Sequence, residues 1–176
     1  IVLAVLLMMS VLGYFLWTGL GGKDLFFSNN TPIGHGLISK IETLFQETII
    51  KKTKYGEMEF LVKGDTLTLI RYTGSDESVA IPSIYQGKRV IAVGDNAFYG
   101  NETIREIDNS QNIERIGQKT FAGCPSLERV TLHEKIKHIS DNAFDNSSKV
   151  VLVVLPGSYA EEYAQKQNMN MGYFSY

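Results

Sequence analysis

The stretch IERIGQKTFAGCPSLERVTL, Ile113 to Leu132, decides the fold, because its apolar positions return at one constant step both upstream and downstream. Aligned on Phe121, the upstream copy reads VIAVGDNAFYGNETIREI from Val90 and the downstream copy IKHISDNAFDNSSKVVLV from Ile136. The step carries Phe98 to Phe121 to Phe144, and Val93 to Ile116 to Ile139. It also carries Ile104 to Leu127 to Val150, and Ile107 to Val130 to Val153. A period between 20 and 50 residues, with apolar residues fixed and polar ones drifting, marks a solenoid whose units bury their edges only against neighbours.

Each repeated position has a physical task. Val93, Ile116 and Ile139 precede Gly94, Gly117 and Ser140, small residues that let the chain turn out of extended structure. Asp95 and Asp141 are placed to cap a short helical turn. The phenylalanines stack inward from that turn, and Ala97 and Ala143 leave room for close packing. Gly100 and Gly123 release the turn, and the pairs Ile104/Ile107, Leu127/Val130 and Val150/Val153 fill short parallel strands.

The pattern GDNAFxGNxxIxxI, and above all FAGCPSLERVTL from Phe121 to Leu132, resembles the leucine-rich repeats of the BspA-like, or Treponema-type, family. The lead-in from Tyr72 and the ending LPGSYAEEYAQKQ from Leu155 resemble segments flanking such repeats in bacterial surface proteins, so the likeness covers about residues 58–168. It implies a right-handed solenoid, an extracytoplasmic setting and protein-protein or adhesive interactions. It names no enzyme activity.

Before the repeats, Met58, Phe60 and Val62 alternate, Lys63-Gly64-Asp65 makes a turn, and Leu67, Leu69 and Arg71 continue a returning strand. This hairpin is expected to cap the first sheet edge. After the repeats, Pro156-Gly157 breaks the apolar run Val150–Leu155, a run whose two faces are both expected to be covered. Ser158 with Glu161 then opens a capping helix through about Gln167, and the aromatic-rich tail is expected to pack back.

At the other end, 16 of the first 20 residues are apolar and none is charged. That length matches a bilayer core of roughly 30 Å. A secretory signal is the alternative, with Gly19-Leu20-Gly21 as a small-x-small cleavage pattern. Residues 21–36 read as a linker. Leu37, Ile38, Ile41, Leu44, Phe45 and Ile49 predict an amphipathic helix near residues 38–50.

Composition excludes several classes. A net charge of −2 over 176 residues argues against a nucleic-acid surface. A single cysteine excludes an intrachain disulfide framework. His35, His133 and His138 lack ligand spacing, and Cys124 reads as small apolar packing, without a histidine in its register to make it a nucleophile. The GDN and SDN turns lack EF-hand spacing, and glycine-rich phosphate loops and nucleophile elbows are absent. No cofactor, metal, small-molecule substrate or enzyme activity is expected.

The expected architecture is therefore an α+β repeat solenoid, a short leucine-rich-repeat domain with a β-hairpin N-cap and a helical C-cap, preceded by a single transmembrane helix. Its parts are a membrane helix (1–20), a linker and helix (21–54), a hairpin cap and partial repeat (55–89), three repeats (90–157) and a C-terminal helix and tail (158–176). The expected function is membrane-anchored, single-pass and extracytoplasmic protein binding or adhesion. The alternative is an accessory subunit whose helix docks on a larger membrane complex. Arg105 and Arg129, followed by Asp108 and Thr131, are expected to project together from the outer strand face as a protein-contact surface.

Overall fold

The computed structural model describes residues 48–174. The expected membrane helix, the linker and the helix over residues 38–47 lie outside the described residues. Among the described residues, no helix is long and apolar enough to cross a membrane. Thr48–Lys52 forms strand β1, not the last turn of the helix expected through residue 50. It runs antiparallel to β2 (Gly56–Lys63), which turns through Gly64 into β3 (Thr66–Gly74).

Parallel strands β6 (Lys88–Val93), β8 (Arg115–Ile116) and β10 (His138–Ile139) extend from β3, with β5 (Ile84–Tyr85) folded antiparallel against β6. We term this sheet A. Sheet B is wholly parallel, in the order β12-β11-β9-β7-β4, from β4 (Ser78–Ala80), β7 (Glu106–Asp108), β9 (Arg129–Thr131), β11 (Val151–Val154) and β12 (Asn170–Tyr173). Each of the first four units contributes one strand to each sheet and returns through a tight turn, so the core is a sandwich that lengthens by repetition.

Aromatic rings form the axis of that core. Tyr72, Phe98, Phe121, Phe144 and Tyr163 stack in sequence, with centroids 5.4, 5.4, 5.1 and 6.3 Å apart. Two rings beyond the three phenylalanines therefore extend the column into flanking units with little trace of the repeat pattern. Val93, Ile116, Ile139, Ile104, Leu127 and Val150 are buried beside the rings, as their spacing predicts.

Backbone groups tie each turn to the next. Phe98 N–H donates to the Thr120 carbonyl, Gly100 N–H to Ala122, Phe121 N–H to Ala143 and Gly123 N–H to Asp145, all at 2.8–2.9 Å. Asp95 takes part in this ladder rather than capping a helix, since no helix forms at the turn. Its Oδ1 accepts from Gln118 N–H of the following unit at 2.7 Å. A Cβ on Gly117 would stand 2.3 Å from that oxygen, so the close approach requires glycine. Gly100, Gly123 and Asn146 share one register and one left-handed conformation, with φ of 69°, 67° and 60°.

Three expectations need correction. A bulge at Glu59/Phe60 leaves Ile70 unpaired, so Tyr72 rather than Arg71 follows Leu69 into the core. In the last repeat, Leu152 and not Val153 pairs with Val130, because one residue is missing between Asn146 and β11. Leu152 is buried, while Val151 and Val153 turn half-exposed to the outside, so that face of the run is not covered.

The third concerns the end of the chain. Helix α1 (Tyr159–Lys166) is N-capped by Ser158 and buries Ala160, Tyr163 and Ala164, with Tyr163 continuing the ring column. It does not close the domain as a helical cap. The chain runs on into β12, parallel to β11, and that strand is the edge of sheet B.

Candidate protein-binding face

Strand alternation in sheet B puts Val79, Ile107, Val130 and Leu152 inside. Outside stand two straight rows. One is Ser78, Glu106, Arg129, Val151 and Asn170; the other is Ala80, Asp108, Thr131, Val153 and Gly172. Parallel pairing fixes both rows, since every strand contributes the same two outward positions. Along the face the chemistry passes from charged groups on β7 and β9 to the half-exposed valines of β11.

The four residues singled out from the sequence separate into different rows. Asp108 and Thr131 are direct partners. Arg105 and Arg129 are not, because the residue opposite Arg129 is Glu106, and Arg105 corresponds to Glu128 one unit on. Arg105 lies just before β7, where its Nη1 donates to Glu128 Oε1 at 2.8 Å and its Nε stands 3.9 Å from Glu77. Arg129 Nη2 is 3.8 Å from Glu106 Oε1. Both guanidiniums are thus engaged by carboxylates of neighbouring units.

Counting Glu77, Glu106, Asp108 and Glu128 against Arg105 and Arg129 leaves this face net negative by two charges. The sequence reading missed His133, two residues past Thr131. Its Nε2 is 3.7 Å from Asp108 Oδ1, and its ring is 5.3 Å from that of Phe174. Its equivalent one unit back is Ser110, so the available signal was its place two residues past Thr131, the partner of Asp108. Among the described residues there is no cluster of side chains that could hold a metal ion.

Cys124 is a buried packing residue, as expected, and makes a polar contact besides. Its thiol donates to the Phe98 carbonyl at 3.2 Å, so its role is polar as well as space-filling. Burial pushes the thiol pKa up, which suppresses the nucleophilic thiolate.

A wholly parallel sheet and a mixed one, joined by recurring turns around one column of rings, define a repeat solenoid. Residues 65–171 match the BspA type Leucine rich repeat region in six copies, and the chain belongs to that family. Comparison with curated proteins gives no match. Among solved structures, the chain is similar to the leucine rich repeat protein of T. pallidum, at 26% identity and a TM-score of 0.54. That likeness covers 58% of this chain and 49% of the other. A leucine rich cell surface protein from Faecalibacterium prausnitzii shares the fold at 21% identity and a TM-score of 0.50, over 72% of this chain and 32% of its own. The chain thus spans about half the length of the first and a third of the second.

Proposed function

We propose that the protein is an extracytoplasmic binding module, tethered through residues 1–20, whose sheet B face engages a partner protein. The observation that carries this reading is the pair of outward rows on sheet B, where acidic and arginine side chains border the half-exposed valines Val151 and Val153. Interfaces combine an apolar centre with a polar rim, and Arg supplies planar charge-assisted hydrogen bonds there. A net negative rim suits a partner surface rich in Lys and Arg. Among the described residues the face holds no nucleophile-base pair, so binding rather than catalysis is the chemistry these side chains support.

The test is site-specific photocrosslinking in intact cells. A crosslinker at Thr131 on sheet B should give one discrete protein adduct, and a crosslinker at Arg115 on sheet A should not. Equal adducts from both positions would remove sheet B from consideration. Extraction in mild detergent then separates the two settings: a free tether releases the chain alone, whereas an accessory subunit brings a stoichiometric membrane protein with it.

A further inference from the structure

Three turns in this chain follow one rule. In Tyr99-Gly100-Asn101, Ala122-Gly123-Cys124 and Asp145-Asn146-Ser147, the middle residue is left-handed and the third is small and polar. The third side chain donates to a carbonyl of the preceding unit: Asn101 Nδ2 to Gly74 at 3.0 Å, Cys124 Sγ to Phe98 at 3.2 Å and Ser147 Oγ to Phe121 at 2.6 Å. In the second and third of these turns the first residue's carbonyl also accepts from the preceding unit, Ala122 from Gly100 N–H and Asp145 from Gly123 N–H.

The fourth turn breaks the rule. Asn168 is left-handed, but Met169 follows it, and a thioether has no proton to donate. The chain reaches β12 almost at once after Asn168, at Asn170, whereas a longer segment separates Gly123 from Arg129. The result is a groove of about 450 Å³ walled by Asp145, Asn146 and Ser148 on one side and by Asn168, Met169 and Asn170 on the other. Among the described residues, Phe144 N–H and Asn146 N–H have no acceptor, and the Phe144 carbonyl receives only Ser147 N–H. These groups continue the ladder that pairs the two preceding turns with the units after them.

We propose that this groove docks a turn from a partner protein, of the form x-(Gly or Asn)-(Ser, Cys or Asn). The first carbonyl accepts from Asn146 N–H, and the small polar side chain donates to the Phe144 carbonyl. The exposed Asp145 carboxylate has no ion-pair partner among the described residues, and favours a Lys or Arg flanking the turn. A second copy of this chain is a poor occupant, because its own three turns are already engaged within their column. The groove lies on the turn column and not on sheet B, so this proposal and the reading of sheet B fail separately.

The experiment titrates the peptide KTFAGSPSLERV, residues 119–130 with serine at the cysteine position, into the full chain labelled with ¹⁵N. The amides of Phe144 and Asn146 should shift and saturate. A peptide with valine in place of the turn glycine should bind about tenfold more weakly, the loss expected for one hydrogen bond and a strained turn. Ser148→Trp fills the groove from an exposed position and should abolish the shifts. Asp145→Arg, also exposed, serves as the second variant should the tryptophan disturb folding, and should weaken binding of this peptide. No shift at millimolar peptide, or undiminished binding by both variants, overturns the proposal. Self-association that moves the same two amides without peptide overturns the assignment to a partner protein.

Discussion

Cys124 Sγ and Ser147 Oγ, one repeat apart, make the same hydrogen bond to the phenylalanine carbonyl of the preceding unit, at 3.2 Å to Phe98 and 2.6 Å to Phe121. The two side chains are interchangeable donors at one register position. Cys124→Ser should therefore change stability by no more than about 1 kcal/mol, while Cys124→Val should cost about 1 kcal/mol more through the lost donor. Urea denaturation of both variants measures the difference. The native thiol should resist a thiol reagent and react on unfolding, given its burial and raised pKa. Rapid labelling of the folded protein would contradict this account.

Phe121 occupies the middle of the ring column, between Phe98 and Phe144 at 5.4 and 5.1 Å, and is fully buried. Phe121→Ala removes the ring and leaves a cavity that the neighbouring units cannot close, at a cost of about 3–5 kcal/mol. Tyr163→Ala, at the end of the column with one ring neighbour, should cost less. A loss below about 1 kcal/mol at Phe121 would be inconsistent with this core.

The three central repeats were legible because identical apolar residues recur at an identical step. The end units were not, since the ring column takes a longer step in sequence from Tyr72 to Phe98, and a shorter one from Phe144 to Tyr163, than between the phenylalanines. Tertiary stacking tolerates these changes in loop length, but a fixed period does not. The outer face suffered from a related error. Ile104 and Ile107 are an odd number of positions apart, so both point inward only because Ile104 precedes β7, and alternation counted from it misplaces Arg105 by one position. One residue deleted before β11 likewise turned Val153 outward, which gave the candidate face apolar character absent from the sequence reading.

Asp76 fastens the first hairpin to the solenoid. Its carboxylate accepts from the Thr53 hydroxyl, from Tyr72 OH at 2.7 Å and from Tyr55 N–H at 3.2 Å. The Thr53 donor, followed by the Tyr72 donor, lowers the Asp76 pKa below its ordinary 3.8. A carboxylate lowered by folding contributes stability that is fully present above its unfolded value and lost as pH falls through the folded one. The acid limb of the stability curve should thus set in near pH 3.8, continue below it, and flatten in Asp76→Asn. Tyr72 acts at the other extreme. Burial, with help from Asp76, pushes it up to about 12, so its contribution should be lost as pH rises from 10 towards 12. Denaturant midpoints across both ranges, compared with Asp76→Asn and Tyr72→Phe, separate the two. Unchanged limbs in these variants would show that the cluster does not link folding to pH.

Asn109 lies one residue past the paired row of Ala80, Asp108, Thr131 and Val153, in a column with Ile81, Leu132 and Val154. All four side chains are buried, and only Asn109 is polar. Neither its Oδ1 nor its Nδ2 has a hydrogen-bond partner among the described residues, and neighbouring Ser110 Oγ is equally alone. Burying an unpaired carboxamide costs about 1–3 kcal/mol by mutational measures. The next unit shows that leucine fits the equivalent place. Asn109→Leu should therefore raise stability by about 1 kcal/mol or more, read as a higher urea midpoint with an unchanged slope. A lower midpoint would mean that Asn109 makes compensating polar contacts in solution, and that this position holds the turn before β8 rather than filling the core.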